Sequence, residues 1–447
     1  MKKVLALILC ALLTAGCLGG CGSSPTSAPA PVSGSGQTGG EPITLTMWHS
    51  FTQGPRKDFM DKAAADFEAQ TGVKVVMETY PWADFYTKWT AGVATGQVPD
   101  ISTALPAQVA EMIDIDALVP LNDLIDGMGR DQFYEAPINE FTVNGSNYGI
   151  PIYSHAHVLW YRKDLLEKAG ITKVPETWEE LYNAAVAVND PPEVYGMPFS
   201  CGKGDFMATL FLNLYVKSAG ETLLTPERRA NLTSQAAIDG INYWVKVYKT
   251  VSPSDSINYK TTEHSTMYYQ GKAAFDFNSG FHISGVEANA PELMDSIAAA
   301  PIPKVNAGDP KYGAFTSNIP VVVWKNSAHP AECKQFVEFL LQPERYVQFL
   351  HSVPVGMLPA MKGITDLPEF QNNETIQKFQ QETEVISEAL AIGSGIGMEY
   401  GCFPEASILT NQSVIEEMFQ DIILNGTPTE QAAKAAEAKL NRLIETN

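Results

Sequence analysis

The rhythm of apolar and polar positions changes several times along the chain. Val4 to Leu13 is an unbroken apolar run behind Lys2 and Lys3. Such a run is about half the length a bilayer-spanning helix needs, and a basic head before it reads as an export signal. Gly22 to Glu41 has no apolar period and is rich in Ser, Gly, Pro, Ala and Thr. That composition buries too little surface to offset its ordering entropy, so the segment is expected to be a flexible linker.

Regular structure is expected from Ile43, where apolar residues alternate with threonine up to Trp48 in a strand pattern. Pro55 suits the first turn of a helix, Phe59, Ala63 and Phe67 recur on one face, and Gly72 stops it. Val73, Val75 and Met77 alternate as a second strand. Strand, helix and strand in so short a span form a βαβ unit, which favours a parallel sheet. A helix is expected from Trp82 to Thr95. A second α/β region opens near Tyr153, with a strand at His157–Tyr161 and a short helix at Asp164–Ala169 before Gly170. Thr177-Trp178-Glu179-Glu180 is a capping box that opens another helix. Ile319–Trp324 reads as a late strand, followed by helices at Pro330–Leu341 and Pro343–His351. The last helix opens at Thr427-Pro428-Thr429-Glu430 and puts Ala433, Ala436, Leu440 and Leu443 on one face.

The 447 residues are too many for one ordinary core, which predicts two lobes. Thirty basic against 51 acidic residues give a net charge of −21. A surface that negative repels phosphate backbones and anionic lipid heads, which argues against a nucleic-acid partner. Cys201, Cys333 and Cys402 are an odd set at wide spacing, with no metal or redox motif. They read as buried thiols, with one pairing left open.

Four stretches resemble the extracytoplasmic solute-binding proteins of ABC importers, in the carbohydrate-binding group related to maltose-binding protein. They are Ile43–Ser50 with its helix and Thr71–Val75, Ala94–Asp100, Gly149–Leu181, and Gln270–Phe275. Their order and spacing cover nearly the whole exported chain. The resemblance implies an α/β, type II periplasmic-binding-protein-like fold: two lobes, each a mostly parallel sheet flanked by helices, with the ligand cleft at the hinge. It divides the chain into a lipoprotein signal peptide at 1–21, a linker at 22–41, a first lobe at 42–152 with a return segment at 316–354, and a second lobe at 153–315 completed by 355–447. Three crossings are expected, near 149–154, 313–318 and 352–356. It also implies lipidation of a cysteine after the signal. Cys21, with Leu18 three residues before it, fits better than Cys17. The protein would then be a monomer tethered outside the cell membrane by its lipid alone. Its partners would be a sugar or oligosaccharide and the permease subunits of the importer, with no cofactor, metal or catalytic residue.

A sugar has C–H-rich faces and a rim of hydroxyls, so its site needs flat aromatic platforms and short polar groups in loops at strand ends. The residues in such loops are Phe51, Trp82, Tyr153, His155, Asn278, Phe281, Phe315 and Tyr400. Phe281 leads them, because it stands where the family usually has a tryptophan. The stretch Ile101–Leu105 lacks the aromatic and carboxylate of maltose binders, which argues against maltose itself. His155 and His157 face one side of a strand, but a closed metal site needs three or four ligands. Two readings stay beside the sugar: the same fold holding a polyamine, phosphodiester or iron chelate, and a secreted glycoside hydrolase. The mostly uncharged loops favour the sugar, and no motif singles out a catalytic carboxylate pair.

Overall fold

The computed structural model describes residues 42–309 and 313–446. The export signal, the linker and the lipidation site expected at Cys21 lie outside them. In chain order the main strands are β1 (Thr44–His49), β2 (Lys74–Thr79), β3 (Ile101–Thr103), β4 (Ile150–Ala156), β5 (Val158–Arg162), β6 (Phe275–Asn278), β7 (Ile297–Ala300) and β8 (Thr316–Val323). They form a five-stranded sheet in the order β2-β1-β3-β8-β4 and a three-stranded sheet in the order β6-β5-β7.

The opening βαβ unit forms as its pattern predicts. Helix α1 (Gly54–Thr71) begins with proline in its first turn and buries Met60, Ala63, Ala64 and Phe67. Gly72 ends it in the left-handed region (φ 76°), and its N–H reaches the Glu68 carbonyl at 2.8 Å. β1 then pairs parallel with β2, from Thr44 opposite Lys74 to His49 opposite Thr79, and with β3 on its other side. Asp100 ties three segments together: its carboxylate accepts from the Thr46 N–H (2.8 Å), the Thr46 hydroxyl (3.0 Å) and the Ser327 hydroxyl (2.6 Å).

The parallel arrangement does not extend to the second lobe. β5 runs antiparallel to both β6 and β7. A βαβ spacing specifies direction only when one helix returns the chain directly. Between β5 and β6 lie more than 100 residues of mostly helical chain, so the local pattern carries no information about direction. The expected division at 152/153 falls inside β4, whose residues Tyr153 to Ala156 still pair with β8 in the first sheet. The chain changes sheets at His157. Met357, Met361, Ile364 and Phe370 remain in the first core, so the first lobe's share also runs past 354. Such boundaries are hard to read from alternation because β4 is buried on both faces.

Helices close each lobe. In the first, α1 and the helices Pro330–Leu340 and Pro343–Leu350 cover Leu45, Met47, Ile319, Val321 and Val323. In the second, Trp178, Phe211, Trp244 and Phe277 form an aromatic centre. The predicted capping box is present there: the Glu180 N–H donates to the Thr177 hydroxyl, and the Thr177 N–H to the Glu180 carboxylate, both at 3.2 Å. Cys201, Cys333 and Cys402 are all buried and unpaired. Among the described residues no helix is long and apolar enough to cross a membrane.

Trp244 gives a direct test of the second core. It is fully buried, its ring lies 4.8 Å from Phe211, and its indole N–H donates to the Phe211 carbonyl at 2.8 Å. Trp244→Ala should lower stability by about 3–5 kcal/mol, read as a fall in the urea midpoint.

Candidate functional site

The two lobes meet along the β4–β8 ribbon. Its register sets Thr316 opposite Ala156, Ser317 opposite His155, Asn318 opposite Ser154 and Ile319 opposite Tyr153. Side chains alternate across a strand, so Tyr153 and His155 share one face and Ser154 takes the other.

The first face is aromatic. The Tyr153 and His155 rings stack at 6.1 Å, and His157 lies 5.8 Å beyond His155. From the first lobe, Phe51 approaches Tyr153 at 6.3 Å. Arg56, in the first turn of α1, places its guanidinium carbon 5.1 Å from the Phe51 ring and 5.2 Å from the Phe281 ring. From the second lobe, Phe281 opens the helix Phe281–Asn289 and meets His155 edge-on at 5.9 Å. Phe315 packs on His157 at 5.0 Å, with Phe206 behind it at 6.4 Å. Both lobes therefore contribute rings to one cluster.

Its imidazoles are held neutral. Burial pulls His155 down to about 4, and the Arg56 charge acts in the same direction. Burial also lowers His49 to about 4 and His157 well below the usual range. His49 Nε2, His155 Nδ1 and His157 Nδ1 are enclosed without a hydrogen-bond partner among the described residues. Burial pushes the Tyr153 phenol up to about 12, with Arg56 opposing it. Unpaired buried polar atoms cost about 1–3 kcal/mol each, and three of them gather in this one cluster.

The opposite face of the ribbon is polar. The Ser154 hydroxyl donates to Asn318 Oδ1 at 2.5 Å, and the Asn318 amide donates to Glu140. Lys217, on the helix Met207–Ser218, donates to the Ala314 carbonyl (3.0 Å), the Ser394 carbonyl (3.1 Å) and the Ser394 hydroxyl (2.6 Å), and pairs with Glu399 at 3.3 Å. Lys217 thus fastens the glycine-rich loop 393–401 to the approach to β8. The loop approaches closely there: a Cβ on Gly395 would stand 3.1 Å from Glu140 Oε1, so the carboxylate would have to shift. Burial raises Glu140 to about 7, against the pull of Asn318 and Lys217.

Of the residues expected to line a site, Phe51, Tyr153, His155, Phe281 and Phe315 come together. Phe51 and Tyr153 are almost wholly enclosed and back the cluster, while His155 and Phe281 keep part of their surface open. Three others lie outside it. Trp82 packs on Phe85 at 5.3 Å. Asn278 is committed internally, its amide donating to Ser265 (3.2 Å) and its oxygen accepting from the Ser279 N–H (2.8 Å). Tyr400 is exposed, with its hydroxyl 3.3 Å from that of Thr222. The alternation of loops and strands gave no sign of Arg56, Glu140, Lys217 or Asn318. Arg56 had a readable signal, a cation in a helix's first turn, where the dipole disfavours it.

Comparison with known proteins places these features in a family. The family model for bacterial extracellular solute-binding proteins matches residues 53–346. The arabinooligosaccharide-binding protein of Bacillus subtilis is 26% identical over 357 residues, 77% of this chain and 79% of that protein. The diacetylchitobiose binding protein DasA of Streptomyces coelicolor is 23% identical over 407 residues, 90% of each. Among solved structures, an ABC transporter solute binding protein of Thermotoga lettingae bound with α-D-tagatose aligns with a TM-score of 0.78 at 21% identity, over 90% of this chain and 99% of that one. Maltose-bound MalE3 of T. maritima aligns at 0.76 and 20% identity, over 90% and 100%. The fold is that of the type II periplasmic sugar-binding proteins.

Glu140 generates a pH prediction. Its carboxyl titrates near 7 when folded against an ordinary 4.5, so unfolding releases a proton between those values. Its contribution to stability is complete below pH 4.5 and is lost as pH rises through about 7. Glu140→Gln should therefore melt higher than the parent at pH 8 and match it at pH 4.5, measured by calorimetry.

Proposed function

The chain belongs to the bacterial extracellular solute-binding protein family, and we propose that it captures a sugar or oligosaccharide between its lobes for delivery to an ABC importer. The observation that carries this reading is the ring cluster assembled from both lobes, with Tyr153 and His155 on the ribbon, Phe281 and Phe315 from the second lobe, and Phe51 and Arg56 from the first. Relatives named for arabinooligosaccharide and diacetylchitobiose binding support a carbohydrate guest.

The partly open faces of Phe281 and His155 suit the C–H face of a pyranose, and the unpaired imidazole nitrogens suit its hydroxyls. A guest that touches both lobes completes its contacts only when they close. That differential affinity drives closure about β4, β8 and the third crossing, and the closed shape is what the permease reads. The protein breaks no bond in this cycle. Lipidation at Cys21 would keep the monomer near its permease, with the linker giving it reach.

The test is a thermal-shift screen of the full chain in detergent against mono- and oligosaccharides. A ligand at about 100 times its Kd stabilises by roughly 2.7 kcal/mol. Phe281→Ala should abolish that shift and leave the melting temperature without sugar nearly unchanged. A collapse without sugar would instead make Phe281 a core residue and sink this assignment of the site. For the tether, Cys21→Ser should release the protein into the medium and end incorporation of labelled palmitate.

A further inference from the structure

Helix α1 points its N-terminus at the aromatic cluster in an electrostatically unfavourable way. A helix N-terminus carries about half a positive charge and its first N–H groups lack partners, so acidic side chains and caps gather there. Here the N-cap residue Gln53 makes no side-chain cap, and no acidic residue occupies the first turn. Arg56 and Lys57 stand there instead. Lys57 is answered by Asp61 one turn later, and Asp58 is exposed to solvent. Arg56 has no carboxylate partner among the described residues; it shares a side-chain hydrogen bond with the Tyr153 phenol and lies between the Phe51 and Phe281 rings.

The remaining groups around the cluster do not balance this charge. Fully buried His49 and nearly buried His157 each aim an unpaired ring nitrogen into enclosed space, as His155 does. Tyr153 is a phenol. The nearest buried carboxylate on the second lobe, Asp276, is already engaged by His264 at 2.6 Å and His282 at 2.8 Å. Glu140 and Glu399 belong to the other face of the ribbon, with Asn318 and Lys217. A cation without a carboxylate, an uncapped helix end and three imidazoles that each keep one nitrogen unpaired therefore surround a ring platform of the kind sugars stack on. A neutral sugar would satisfy the imidazoles and leave the cation without a carboxylate.

We propose that the sugar this site takes is acidic, a uronic acid or an oligosaccharide containing one, with its carboxylate on the Arg56 guanidinium at the N-terminus of α1 and its pyranose face on Phe281 and His155. The inference rests on the sugar-capturing reading above and makes it specific. The planar guanidinium fork fits a carboxylate with two parallel hydrogen bonds, which a hydroxyl cannot imitate. It also explains how a chain of net charge −21 could hold an anion: the positive field is local, made by one side chain and one helix end.

The experiment is titration calorimetry of the full chain with matched pairs: galactose and galacturonate, glucose and glucuronate, galactobiose and digalacturonate. The parent and the variants Arg56→Gln and Arg56→Lys are compared. At least one acidic member should bind the parent about 10- to 100-fold more tightly than its neutral partner. R56Q should lose that preference, and R56K should keep part of it. Without sugar, R56Q should melt at the parent's temperature or slightly above, because a cation has left the positive end of a dipole. Neutral members binding as tightly as acidic ones, or R56Q binding the acid like the parent, would overturn the inference and leave sugar capture standing. A large fall in the melting point of R56Q would make Arg56 a brace between two rings and also overturn it. If no member of any pair binds, sugar capture fails and this inference fails with it.

Discussion

The two sheets each carry a core of their own, and the antiparallel ribbon β4–β8 runs between them with both faces enclosed. This constraint governs what β4 and β8 can carry. All eight residues of β8 are buried, as are six of the seven in β4. A polar side chain in such a place needs a partner, since leaving one unpaired costs about 1–3 kcal/mol. Strand alternation sorts the solutions onto two faces. Ser154 and Asn318 answer each other across the ribbon and extend to Glu140. Tyr153, His155 and His157 gather as rings on the other side. Unpaired polar atoms remain on both faces: imidazole nitrogens on the aromatic one, and oxygens of Glu140 and Glu399 on the polar one.

A second buried network holds the site's best aromatic in place. The Asp276 carboxylate accepts from His264 and His282, and from the Phe277 N–H at 2.7 Å. A carboxylate only accepts, so each imidazole must present Nε2–H to it. His264 Nδ1 is then left to receive the Ser200 hydroxyl at 2.7 Å. Burial would raise Asp276, but the two histidines pull it below the usual carboxylate range. Ser200, His264 and Asp276 line up as a hydrolase's relay would, yet all three are wholly enclosed, so no substrate carbonyl could reach the hydroxyl. The network's evident work is positional. His282, clamped by Asp276 and stacked on Tyr268 at 4.4 Å, fixes the first turn of the helix that begins at Phe281.

How legible was this in the chain? The βαβ opening, the capping box at Thr177–Glu180 and the late helices follow from local rules: apolar period, proline at a first turn, glycine at a last one. They form where those rules put them. Strand direction in the second lobe and the place where the chain changes sheets were not legible, because both depend on partners more than 100 residues away. The same divide runs through the site. Tyr153, His155, Phe281 and Phe315 could be read from ring-rich loops at strand ends. Asn278 looked similar, but its amide is spent on Ser265 and Ser279, which no pattern reveals. Glu140 and Lys217 carry no signal in the sequence, and only the fold brings them near enough to act on each other.

Several residues that break local rules stand at the cluster, and this supports treating it as the working part of the molecule. Elsewhere the helices obey electrostatics: Glu179 and Glu180 open one, and Glu430 opens the last. At α1, cations stand at the positive end, imidazoles are buried with one nitrogen unpaired, and an arginine touches rings in place of a carboxylate. Part of this is offset locally: Lys57 pairs with Asp61, the Phe51 N–H donates to His49 Nδ1 at 3.2 Å, and Arg56 lies against two rings. Unpaired buried polar atoms also occur inside the cores, at Asn213 and Tyr243 among others, so what sets the cluster apart is that its unpaired nitrogens stand beside a cation and ring faces. Positive charge, neutral ring nitrogens and flat ring faces meet there, and it is on that combination that the proposed acidic sugar rests.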